Sequence, residues 1–275
     1  MLLWRVFFIA FVLAATHPLL GHEDPHHRIE ALTRRIAENP DDPALYLKRG
    51  ELHRLVSHWD LALSDFERAR ELSPDYETID LYRGRVQLDA GRFAEARETL
   101  DAFLDGYADH AEALTTRARA WRKLNQPLKA VDDYDRALTL AGDLAPGIHV
   151  ERASALAESG ETYLAAAVFG LDDAIRKLGP LIVLESKAID LELTMRNYDA
   201  AIARIERVLI RMPRKETWLV RRGEVLERAG RAGEARRSFE EALASLESLP
   251  AYLRQVPASR DLEHKLRVVL NGEDR

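Results

Sequence analysis

Small and apolar residues recur along this chain on two periods at once. Within short segments they lie three or four apart, the spacing of one helix face, and between segments they repeat every 34 residues. Gly50, Gly84 and Ala118 share that interval, as do Ala62, Ala96 and Ala130, and Phe66, Leu100 and Tyr134. Three registers with one period predict a helical array in which each unit buries its apolar face by stacking on its neighbours. Before the array, Ile29, Leu32 and Ile36 predict a short amphipathic helix that stops at Asn39-Pro40, and after it Leu262, Leu266, Val269 and Leu270 predict another. Helices at the two ends of such a stack serve as caps.

The first unit runs from Pro43 to about Tyr76. Tyr46, Gly50, Ala62, Phe66, Ala69 and Pro74 stand at its positions 4, 8, 20, 24, 27 and 32. Large aromatic, small, small, aromatic, small and proline at these spacings resemble the tetratricopeptide repeat (TPR) family. The pattern has a packing logic: small residues on one helix facing small residues on the next let two helix axes approach closely. The resemblance implies an all-α, right-handed superhelical solenoid of about six helix-turn-helix repeats starting near 43, 77, 111, 146, 182 and 216. It covers residues 43–249, followed by a C-terminal capping helix and tail over 250–275. The second unit carries Gly84, Gly91, Phe93, Ala96 and Leu100, with Phe103 at a usually small position; the third carries Ala118, Trp121, Ala130, Tyr134 and Ala137. In the fourth, Ala153, Gly160, Ala165 and Phe169 fit the pattern, and the second helix is expected to run about one turn long before Gly179-Pro180. The fifth has Tyr198, Ala201, Ile205 and Pro213 but substitutes Ile189 and Glu192 for the small and aromatic residues of its first helix. The sixth is regular, with Trp218, Gly223, Gly230, Ala235, Phe239 and Ala242.

Composition narrows the functional classes. With 47% hydrophobic and 31% charged residues the chain is globular, and a net charge of −6 spread along helices creates no field that would recruit nucleic acid. The absence of cysteine excludes disulfides and thiolate chemistry. Arg5 followed by the uncharged apolar run Val6–Ala15 reads as a secretory signal peptide over residues 1–21, with Ala15 or Gly21 as the last residue removed, or as an anchor if it stays uncut. The expected location is therefore periplasmic or secreted, with membrane contact only through that segment. His22 to His27 read as a polar linker, joining the leader to the capping helix within residues 22–42.

In the family it resembles, first-helix positions 2, 5, 9, 12 and 13 commonly face the concave groove. These positions place Arg54, Arg85, Leu88, Arg119, Arg122 and Lys123 there in the first three repeats, whereas the last two repeats lean acidic. Guanidinium groups hold carboxylates in bidentate fashion, so an acidic peptide or protein segment is the partner such a wall would suit; otherwise these arginines pair with neighbouring Asp and Glu as a solvated face. A second series, Arg49, Arg83, Arg117, Arg152 and Arg222, stands at position 7, and Asp65 and Asp133 at position 23 of two of the same repeats predict ion pairs within the repeat. The lysines and asparagines with which the chaperone-binding members of the family clamp a terminal carboxylate are not matched: positions 6 and 9 hold Lys48, Glu51, Tyr82, Arg85, Thr116 and Arg119.

Serines and histidines are scattered, without a glycine-rich loop or nucleophile elbow, and Asp132-Asp133 and Asp172-Asp173 are sequence neighbours that point apart on a helix. No catalytic residues and no cofactor are expected. The expectation is a scaffold or adaptor that holds a peptide or protein partner. The alternative is a metal-handling accessory protein using His22, His26 and His27 with Glu23 and Asp24, since imidazole and carboxylate suit zinc, copper or nickel. An enzyme ranks last, and His53, at a packing position, is expected in the core.

Overall fold

The structure, a computed structural model, describes residues 24–271 except 77, 143 and 144. Among the described residues all regular structure is helical. The helices form two compact units, one ending at Ile79 and the other beginning at Asp80. In the first, α1 (Pro25–Glu38) packs against α2 (Pro43–Leu55), which packs against α3 (Trp59–Leu72). The second runs from α4 (Ile79–Asp89) and α5 (Phe93–Gly106) through α6 (Ala111–Lys123), α7 (Pro127–Leu140), α8 (Pro146–Glu158), α9 (Leu164–Leu178), α10 (Ile182–Thr194), α11 (Tyr198–Arg211), α12 (Glu216–Arg228) and α13 (Ala232–Glu247). The turn α14 (Ala251–Arg254) and the helix α15 (Pro257–Asn271) follow, and α15 packs on α13.

The small residue at position 8 is a steric requirement. A methyl group added at Gly50 would stand 2.5 Å from the Phe66 ring, at Gly84 2.7 Å from Leu100, and at Gly223 2.3 Å from the Phe239 ring. The bulky side chain at position 24 of the second helix thus lies directly on the backbone of the first, and all three of these partners are buried.

Position 15 of each repeat, in the turn between its two helices, has positive φ: Ser57 61°, Gly91 77°, Asn125 57°, Gly160 125°, Arg196 56° and Gly230 74°. In five repeats the next N–H closes the first helix by donating to the carbonyl of position 11. These bonds run His58 to His53, Arg92 to Gln87, Gln126 to Trp121, Asn197 to Glu192 and Arg231 to Leu226, at 2.8–2.9 Å. This is the six-to-one closure that follows a left-handed residue at a helix end.

The fourth repeat is the exception, and it corrects the sequence register. A 3-10 turn, Glu161–Tyr163, is inserted ahead of α9. As a result Ala165 and Phe169, expected in the core, are exposed, Phe169 to 70%. The buried set is Ala167, Leu171 and Ala174, which reproduces the +4, +7 spacing of Ala130, Tyr134 and Ala137 after a shift of 37 residues instead of 34.

The polar stretch at the N-terminus also differs from expectation. Asp24 caps α1 by accepting from the His26 N–H at 3.0 Å and Pro25 occupies the first turn, so His26 and His27 belong to the helix instead of a linker. Leu32 and Ile36 are the buried residues of that helix.

Candidate partner-binding cleft

The position-7 arginines turn inward to bind within the stack. Arg49 forks onto Asp65 (2.8 and 2.6 Å) and Arg117 onto Asp133 (2.8 and 2.7 Å), with both carboxylates nearly buried. The remaining three find other partners: Arg83 donates to Asp80, Arg152 to both oxygens of Asp135, and Arg222 to Ser238 and Glu241. The adjacent acidic pairs separate as helical geometry requires. Asp133 faces Arg117 while Asp132 is exposed, and Asp172 meets Arg204 while Asp173 meets Arg176 and Lys177.

In the fifth repeat the charge at position 23 is inverted and its partners stand at other positions of the first helix. Position 23 is Arg204, 5% exposed, and it donates to Glu192 at position 11 (2.7 Å) and to Glu185 at position 4 (3.4 Å), both buried. Asp172 of α9 lies 2.8 Å from Arg204, and Arg207 lies 3.8 Å from Glu185. This cluster explains why glutamate replaces an aromatic residue at position 192. It leaves Glu192 Oε2 buried with no hydrogen-bond partner. Burial raises the Glu192 carboxyl above its ordinary range, the nearby Arg204 offsetting this only in part.

Of the residues expected to face the groove, Arg54 lies in the first unit, where it donates to Glu51 at 3.3 Å. The other five lie in the second unit, and Arg85 pairs with Glu112 of the next repeat at 3.2 Å. Leu88, Arg119, Arg122 and Lys123 come together on one cleft of about 550 Å³, whose walls also include Asp89, Phe93, Glu151 and Glu158. Two guanidinium forks span neighbouring repeats here. Arg119 donates to Glu151 at 2.8 and 2.7 Å, and Arg122 to both oxygens of Glu158, Nε at 2.9 Å.

Glu151 has a further donor in the buried Tyr134 hydroxyl at 2.8 Å. Burial pushes the Glu151 carboxyl up, but the donors Arg119 and Tyr134 outweigh it and hold the group below the ordinary carboxylate range. The hydrogen bond from Arg122 holds Glu158 low. The same first-helix face continues into a second cleft of about 480 Å³ between α10 and α12, lined by Asp190, Leu193, Val220, Arg221 and Glu224. There Arg221 donates to Asp190 at 2.6 Å.

The glutamates of the first cleft were not anticipated as site residues. They stand 32 and 36 residues after their arginines, about one repeat on. Matching opposite charges at the repeat interval would find them.

His22 lies outside the described residues, and His26 and His27 are exposed on α1. The His26 ring is 6.0 Å from that of His58, which is 5.7 Å from that of His53. Among the described residues no three acidic or histidine side chains are grouped to hold a metal ion. His53 is buried, and that burial lowers its pKa.

Helical hairpins on a repeating register, each with a left-handed residue in its turn, and with two clefts on the first-helix face of the second unit, form an all-α repeat scaffold for protein interaction. The chain carries tetratricopeptide repeats: two models of that family match residues 57–120 and 187–250. A 77-residue stretch is 32% identical to the human Protein SGT1 homolog, and the bovine homolog matches at 31% over 80 residues. These matches take in 28% and 29% of this chain and only 21% and 24% of those proteins. Among solved structures, a tetratricopeptide repeat protein from Parabacteroides merdae superposes with a TM-score of 0.58 at 18% identity, over 89% of this chain and 93% of that one. Yeast Tom70 superposes with a TM-score of 0.52, also at 18% identity, over 88% of this chain and 47% of Tom70. At such identities the likeness is one of fold.

Proposed function

We propose that this protein is an adaptor working outside the cytoplasm, which holds a peptide or protein partner against the first-helix face of its second unit. The observation that carries this reading is the cleft where Leu88, Arg119, Arg122 and Lys123 meet. It offers apolar surface at Leu88 and Phe93 beside oriented charge, the combination that peptide-binding grooves use. The location rests on the sequence pattern of Arg5 and Val6–Ala15 together with the absence of cysteine.

A photocrosslinking residue at position 88, with one at the exposed Ile210 as control, tests the site in the envelope fraction of the producing cell. A partner captured from position 88 and not from 210 is then purified, and its affinity measured for the wild type and for the Arg122→Glu/Lys123→Glu double variant, with helicity checked by circular dichroism. The expected result is weakened binding by a helical variant. Equal affinity, or capture from 210 alone, overturns the reading. A reporter domain active only outside the cytoplasm, fused after Arg275, checks the location, and an inactive fusion refutes it.

A further inference from the structure

The two forks in the first cleft are built differently. Glu151 is held by Arg119 from α6 and by the Tyr134 hydroxyl from α7, so it ties three helices together and completes the hydrogen bonding of a buried phenol. Glu158 is held by Arg122 alone among the described residues, and its side chain is 45% exposed. A half-exposed pair of this kind contributes little to stability, so its carboxylate exchanges at small cost.

The charge around Glu158 is also unbalanced. Lys123, exposed, and Lys187, half-buried, both act on this carboxylate, yet neither has an ion-pair partner among the described residues. One carboxylate on the cleft wall thus feels the charge of three cations, held by Arg122 in the bidentate geometry that a carboxylate from another chain would adopt.

Building on the adaptor reading above, we propose that Glu158 is a resident stand-in for the partner, and that the partner is an acidic protein segment whose Asp or Glu side chain displaces it from the Arg122 fork. Lys123 and Lys187 then take further carboxylates of the same segment, while Leu88 and Phe93 cover its apolar stems. Glu158 sets a threshold: a single weak acid does not replace it, whereas several acidic residues in one segment do, because they also engage the two unpaired lysines. Arg119 stays with Glu151 throughout.

The test uses the whole chain and fluorescein-labelled dodecapeptides, one rich in Asp and Glu, one with each acid replaced by its amide, and one rich in lysine, followed by fluorescence anisotropy. The acidic peptide is expected to bind, more weakly as salt rises, and Glu158→Gln is expected to tighten it about tenfold, the scale of one charge-assisted hydrogen bond. Arg122→Gln in the Glu158→Gln background should abolish that gain. Glu151→Gln should lower the thermal midpoint and give no gain in affinity.

Unchanged affinity in Glu158→Gln, or equal binding of the amide peptide, overturns the proposal. So does preference for the lysine peptide. The adaptor reading has a separate readout, since a partner crosslinked at position 88 that binds wild type and Glu158→Gln equally leaves the adaptor standing while this inference falls.

Discussion

Glu192 shows how a single position can defy a repeat pattern for a physical reason. The pattern asks for an aromatic there; the chain supplies a carboxylate, and the opposing position 23 supplies Arg204 where the first and third repeats have Asp65 and Asp133. From sequence the substitution is only a mismatch, because its compensation involves Arg204 twelve residues away and Asp172 on the preceding repeat. Its energetics are titratable. Burial raises the Glu192 carboxyl in the folded protein, so above the ordinary glutamate value of about 4.3 the folded state retains a proton that the unfolded chain has released. Stability from this group is therefore fully present below that value and is lost as pH rises through the raised one. Glu192→Gln removes the titration. Urea unfolding of both proteins from pH 4 to 8 should show the wild type losing stability relative to the variant as pH rises, by at most about 1.4 kcal/mol per pH unit for one proton. A difference that stays constant with pH would contradict the assignment.

The fourth repeat is where an element departs from what its sequence suggests. The 34-residue count reaches Ala165 and Phe169, which are chemically suitable, but the 3-10 turn Glu161–Tyr163 carries the register past them to Ala167 and Leu171. The extra residues were legible from the delayed Gly179-Pro180 stop, but they form a separate 3-10 turn and do not lengthen α9, which has 15 residues against 14 in α7; their position was not legible, because alanines at 165, 166 and 167 give the period no unique phase. Elsewhere the pattern set small residues against small residues, whereas the glycines at position 8 of the first, second and sixth repeats lie under the bulky residue at position 24 of the same hairpin. The shifted register has a direct test. Phe169→Ala should change the unfolding free energy by no more than about 0.5 kcal/mol, as for an ordinary surface site. Leu171→Ala, 1% exposed in the core with Ala153 and Leu184, should cost about 2–5 kcal/mol. Chemical denaturation of the two variants decides between registers, and the reverse ranking would restore the 34-residue count.

For the molecule as a whole, the helical repeats and the terminal helices could be read from the sequence, while the glutamates that pair with Arg119 and Arg122 were not picked out and the division at Ile79 and Asp80 left no mark in the repeat pattern. The difference is one of range. Helical periodicity and hairpin contacts are local, whereas the Arg119–Glu151 and Arg122–Glu158 forks exist only once neighbouring repeats are stacked. The same nearest-neighbour logic governs how the second unit should fail. Its C-terminal end is closed by α15, where Leu266 is 2% exposed and packs in one cluster with Phe239 and Ala242, with Leu262 and Leu270 at the edge. Arg236 ties α13 to the Leu270 carbonyl at 3.1 Å, and Arg267 reaches Glu247 at 2.7 Å. A chain stopped after Pro250 loses this cover and uncovers the apolar face of the sixth repeat. If stability is a sum over repeats and their interfaces, the loss stays near the cut. Hydrogen exchange should then accelerate in α12 and α13 while the amides of α6 and α7, several interfaces away, keep their protection. An equal acceleration from α5 to α13 would show instead that the second unit opens as a single cooperative block.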